Sequence, residues 1–256
     1  MIAAVLNPVA ALAGVAPWLM AGAAAMTFGA AFIRGLTGFG MAIILVPLLG
    51  LIVSPGEAVV LGILLQVLIG PVGLKIIYAD ADRKSALTIA AFAMVATPVG
   101  IWLLTRTTPD VARLLIAAIA IGAFLLVLLP QKPGFKPGPK ETAATGIASG
   151  ILTGFAAMPG PPVVPYYLRQ QIEPARARAS MMLVFFATAI AGTASSFALG
   201  LASWRLVWLS FLLFPPMLLG NWLGAKCFGR VPAPLWRTAV AVILGLAGMS
   251  AVARLF

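Results

Sequence analysis

Seven runs of the chain, 9–33, 58–78, 86–105, 112–129, 180–200, 204–225 and 236–254, are apolar almost without interruption. A helix needs about 20 such residues to cross the hydrocarbon of a bilayer, and no soluble fold keeps so many runs of this length from water. Over 256 residues, 62% are hydrophobic and 9% charged, with a mean hydropathy of +1.10. The bilayer is therefore the solvent in which the chain must be stable. The fold class that follows is all-α, a polytopic transmembrane helical bundle. The apolar start has no basic segment ahead of it, so it is read as the first span and not as a cleaved signal.

Two further regions are apolar but punctuated. Residues 35–53 carry Gly35, Gly38, Gly40 and Pro47; residues 142–168 carry Gly146, Gly150, Gly154 and the run MPGPPVVP. Backbone broken at membrane depth survives only where it is buried in protein or lines a cavity. Broken or re-entrant helices are expected here, and the sequence leaves open whether 35–53 and 159–168 cross fully or dip in and return.

The charges sit between the runs. Arg34, Lys75, Arg83, Lys84, Lys132, Lys136, Lys140, Arg169, Arg176, Arg178, Lys226, Arg230 and Arg237 fall on one side, against Arg106, Arg113, Arg205 and Arg254 on the other. The crowded side is expected to be cytoplasmic, which puts both termini on the outward side. A net charge of +11 distributed this way is a topology signal and not a nucleic-acid patch.

The punctuated regions look like copies of one another. Leu36-Thr37-Gly38-Phe39 recurs as Leu152-Thr153-Gly154-Phe155, Val46-Pro47 as Val164-Pro165, and Pro55 as Pro174; Gly100, Trp102 and Leu103 match Gly220, Trp222 and Leu223. Order is kept while the offset grows in small steps. The expected organisation is an N-terminal repeat at 1–129, a cytoplasmic linker at 130–141 and a C-terminal repeat at 142–256, with the two halves inverted by the charge rule. Inverted halves with broken helices are typical of secondary transporters, whose site lies near the midplane.

With no histidine and one cysteine, Cys227, the chain lacks the parts for His-centred metal sites, for Ser-His or Cys-His nucleophiles and for an internal disulfide. No catalytic residue, metal or cofactor is expected. None of Glu57, Asp80, Asp82, Asp110, Glu141 and Glu173 falls mid-span, which argues against a carboxylate proton relay.

Helix breaks near Gly35–Gly40 and Met158–Pro162 would free backbone N–H groups, and helix N-termini attract anions. Arg34 would add a charge whose planar fork suits trigonal oxyanions. Its rival role is an interfacial anchor that snorkels to water. The candidate substrate site comprises Arg34, Thr37, Gly38, Phe39 and Gly40 from one copy and Thr153, Gly154, Pro159, Gly160, Pro161 and Pro162 from the other. Gly146 and Gly150 fit close helix packing better. Gln66, Thr97, Thr193, Ser195, Ser196 and Asn221 either line a path or join helices by hydrogen bonds.

The glycine-rich RGLTGFG followed by VPLL, with its second copy LTGFAAMPGPPVVPYYL, resembles the TauE/SafE family of sulfite exporter or sulfonate permease type membrane proteins over nearly the whole chain. The resemblance implies movement of sulfite, sulfoacetate or another organosulfonate across a bacterial inner membrane. A non-sulfur organic anion, or a non-transport assembly subunit, are the alternatives. The second copy departs from the first: Gly40 faces Met158 or Ala156, and Arg34 aligns with Gly150, so the charge comes from one half. The expected partners are a small anion, the lipid bilayer and, in a homo-oligomer, another copy of the chain; nucleic acid is not expected.

Overall fold

A computed structural model describes residues 17–128, 134, 136–170 and 172–227. The expected span at 236–254 and most of the linker's first half lie outside the described residues. Ten helices make up the described part: α1 Pro17–Thr37, α2 Met41–Leu49, α3 Pro55–Ile69, α4 Leu74–Asp80, α5 Arg83–Thr105, α6 Pro109–Leu128, α7 Pro139–Ala156, α8 Gly160–Leu168, α9 Pro174–Ala198 and α10 Trp204–Lys226. No strand occurs among the described residues. Five of these helices open on proline, the residue whose missing N–H costs nothing in a first turn.

α1, α5, α6, α9 and α10 are long and apolar enough to cross a membrane. Their outward faces carry Val95, Trp102, Leu125, Trp208 and Phe211 in the open, the reverse of a soluble protein and correct for lipid. The expected single span at 58–78 is corrected: α3 and α4 meet at an angle of 84°. Pro71 cannot continue the α3 ladder, and Gly73, at φ 75°, turns the chain into α4.

α3 is the axle of the bundle. Val59, Val60, Leu61, Ile63 and Leu65 have no exposed surface, and a helix apolar on every side is one enclosed on every side. Its single internal polar residue is Gln66.

The punctuated regions fold as two hairpins. α2 and α8 have 9 residues each, about 13 Å of helix, which is far short of the roughly 30 Å hydrocarbon core. Neither is long enough to cross by itself. Their boundaries repeat at a constant spacing: Met41 and Gly160, Leu49 and Leu168, and the starts Pro55 and Pro174 are all 119 apart (160 less 41, 168 less 49, 174 less 55).

Two seams lock the hairpins to long helices, and both are made by backbone approaching backbone. A Cβ added to Gly146, Gly150 or Gly154 of α7 would strike the α5 carbonyls of Ile89, Ala93 and Thr97 in turn. In the other seam, Gly220 and Gly224 of α10 face the carbonyls of Phe28 and Phe32 on α1, and Gly35 faces Asn221. Contact numbers rise together in each seam, so α5 runs parallel to α7 and α1 parallel to α10. Small residues at this spacing let helices close to van der Waals contact between main chains.

The ends of the bundle are chemically different. At one, Lys84, Lys136 and Gln170 share a cavity and the backbone of Asp82 donates to Ser180. At the other, Arg205 of α10 pairs with Glu57 of α3. Glu57 also completes a capping box with Ser54, which fixes the α3 start. The α1–α2 hairpin enters from the Glu57 end and the α7–α8 hairpin from the lysine-bearing end. Their tips meet in the interior.

Candidate functional site

At the first tip the helix stops because Gly38 and Gly40 both adopt φ 87°, a region closed to ordinary L residues. Thr37 stitches this turn: its hydroxyl lies 2.8 Å from the carbonyl oxygens of Ile33 and Phe39 and accepts from the N–H of Phe39 at 3.3 Å. α2 then begins with no side-chain cap on its first N–H groups. At the second tip Ala157, at φ 57°, is the only non-glycine residue with positive φ among those described. Here Ser149 does the stitching by donating to the carbonyl of Pro159 at 3.0 Å. The central helix holds this tip in place: Gln66 Nε2 donates to Ala157 O at 2.9 Å and to Gly62 O at 3.1 Å.

Between the tips lies a pocket lined by Arg34, Phe39, Gly40 and the first turn of α2 on one side, and by Met158, Pro159 and Gly160 on the other, with Gln66 and Phe185 between. Its volume is about 20 Å³, enough for about one water. A space of this size does not admit a polyatomic anion in this conformation.

Arg34 is 7% exposed, which excludes the anchor role, since a snorkelling side chain must reach water. Its Nη1 donates to Asn221 Oδ1 at 2.8 Å. Among the described residues no carboxylate lies within ion-pair distance of Arg34; the ion pairs are Arg113–Asp110 and Arg205–Glu57. A buried cation held by one neutral oxygen keeps most of its field for a ligand.

The other sequence candidates divide. Arg34, Phe39, Gly40, Pro159 and Gly160 line the pocket. Gly38 lies under the Arg178 side chain, and Thr37 braces its own turn. Thr153 is buried and donates to Ser149 O within α7, and Gly154 belongs to the α5 seam. The LTGF copies are 116 apart (152 less 36) but the helix ends Thr37 and Ala156 are 119 apart (156 less 37). In the second half the motif therefore sits one helical turn before the break. By helix ends Arg34 has Thr153 as its counterpart, in place of Gly150; either way the matching position of the second half carries no charge.

Pro161 and Pro162 follow Gly160 at the start of α8 and bring no N–H, so the first turn of α8 offers donors only from Gly160 and Val163. α2, beginning Met-Ala-Ile, has a full set. The two tips thus offer unequal numbers of backbone donors.

Sequence reasoning passed over three residues here. Gln66 and Asn221 were visible as polar residues inside spans, but their role depends on partners in the other half. Arg178, counted with the loop charges, lies inside α9 and donates Nη2 to Gly35 O at 2.8 Å.

The family model described as Sulfite exporter TauE/SafE matches residues 23–251. The chain belongs to the TauE/SafE family. The match covers both hairpins and both seams, so the pocket lies wholly inside the TauE/SafE region. No curated protein and no solved structure is significantly similar to the chain. TauE/SafE membership implies a multi-pass membrane transporter of sulfur anions.

Proposed function

We propose that the protein moves a small sulfur oxyanion, sulfite or an organosulfonate such as sulfoacetate, across the bacterial inner membrane. In this reading the halves are inverted repeats that part alternately and expose the Arg34 pocket to each side in turn. One observation carries it: Arg34 is buried between two interrupted helices with a single neutral acceptor, Asn221. A cation in that position is expensive unless a ligand repays its desolvation.

The roles follow from the chemistry. Arg34 binds two oxygens of the trigonal or tetrahedral sulfur group through its fork. The N–H groups of the α2 first turn add partial positive charge. Gln66 and Asn221 orient the tip and the guanidinium, and Phe39, Met158 and Phe185 exclude water. Flux of sulfite, sulfoacetate, taurine, lactate and chloride into liposomes holding the purified protein is the test. Sulfur oxyanions are expected to be carried in preference, with loss of flux in Arg34→Ala. Equal flux in that variant overturns the site, and preference for lactate overturns the substrate class.

A further inference from the structure

A second cavity, much larger than the Arg34 pocket, opens elsewhere in the described residues. It lies at the lysine-bearing end, measures about 690 Å³ and is lined by Lys84, Lys136, Asp82, Thr88, Tyr166 and Gln170, among others. Its walls come from the starts of α5 and α7, the linker residues that precede α7, Lys136 among them, and the end of α8 with the turn after it. The hydroxyls in the wall are already hydrogen-bonded. Thr142 lies 2.9 Å from Gly138 O and Ser85 lies 2.6 Å from Asp82 Oδ2. Thr142 and Tyr166 also share a hydrogen bond, as do Ser85 and Tyr167, each at 2.9 Å. Thr88 gives its proton to Lys84 O. The donors left for a solute are the two ammonium groups and one N–H of Gln170, whose other donates to Tyr166 O.

We propose that this cavity is a water-filled anion vestibule, in which Lys84 and Lys136 concentrate small sulfonates and sulfite at the mouth of the transport path. Two exposed cations, Lys84 and Lys136, line a concave surface with one carboxylate, Asp82, and clefts lined by one excess sign of charge focus potential and raise the local anion concentration. Its size fits a hydrated solute and not a tight clasp. α8 joins the two places: Gly160 at its start lines the Arg34 pocket and Tyr166 near its end lines the vestibule. Delivery to that pocket rests on the proposed function, whereas the charge and access of the vestibule do not.

The test uses full-length protein with Cys227→Ser and Thr88→Cys, the new thiol facing the cavity. Its rates of modification by an anionic (sulfonatoethyl) and a cationic (trimethylammonioethyl) methanethiosulfonate are compared, each relative to a free thiol. At low salt the anionic reagent is expected to be favoured by about three- to thirtyfold. That preference should collapse towards unity in Lys84→Gln/Lys136→Gln and at about 0.5 M salt, and sulfoacetate should slow the reaction.

An unreactive thiol, or a preference unchanged in the lysine variant, overturns the vestibule. An anionic phospholipid headgroup carries the same chemistry. A thiol that reacts only after phosphatidylglycerol is stripped away means that lipid fills the cavity, and this too overturns the proposal. Arg34→Ala should leave all these rates unchanged while abolishing flux, so the two readings fail separately.

Discussion

Gln66 of the central helix donates its side-chain amide to the main-chain oxygen of Ala157 at 2.9 Å, joining the core of one half to the tip of the other half's hairpin. The bond satisfies a carbonyl that its own interrupted helix has released, at a depth where no lipid atom can replace the donor. Gln66→Leu removes the donor and keeps the volume. It is expected to destabilise the protein by about 1–3 kcal/mol and to lower flux, as read by thermal unfolding in detergent alongside liposome uptake. Unchanged unfolding would mean that the tip finds another donor.

Ala157 holds φ 57° with a Cβ, a conformation that costs about 1–2 kcal/mol for a residue of its kind. Ala157→Gly relieves that strain. A rise in midpoint temperature is expected, with the tip geometry kept; a fall would show that the methyl group's packing outweighs the strain.

Asn221 is the neutral acceptor for Arg34. Asn221→Asp turns it into a permanent anion within reach of the guanidinium, so the pocket acquires its own ligand. Folding and thermal stability should be retained while flux falls by about tenfold or more. Asn221→Ala should cost less flux. Full flux in Asn221→Asp would mean that the field of Arg34 is not used.

Gly150 has the carbonyl of Ala93 against it and no space for a methyl group, whereas Gly22 has nothing within 4 Å. Gly150→Leu is expected to prevent a folded monodisperse protein, since overpacking a tight seam costs about 1–3 kcal/mol or more. Gly22→Leu should leave the size-exclusion profile unaltered. The contrast separates seam glycines from those facing lipid.

How far the sequence led can be judged at these residues. Among the described residues the runs at 86–105, 112–129, 180–200 and 204–225 fall on helices where expected, because crossing a bilayer dictates both length and composition. The punctuated regions were legible as breaks, since Gly40 and Pro161 cannot continue a helix from the preceding turn. Gly154 was misread: its motif copies that of Gly38, but the second break lies one turn later, and a glycine's role depends on what faces it. The kink after Ile69 was missed because an apolar run reads alike whether straight or bent. Gln66 and Asn221 were seen, yet their partners lie 91 and 187 residues away, a distance that local pattern does not bridge.

The 15 residues of α3 give about 22 Å of helix, shorter than the roughly 30 Å hydrocarbon core, and its middle, Ala58 to Gln66, is buried in protein away from acyl chains. Thinning or thickening the lipid therefore strains the outer helices, which can tilt in response, while the axle keeps its length. The transport machinery sits on a mechanically insulated post, and flux should vary little across liposomes of short and long acyl chains.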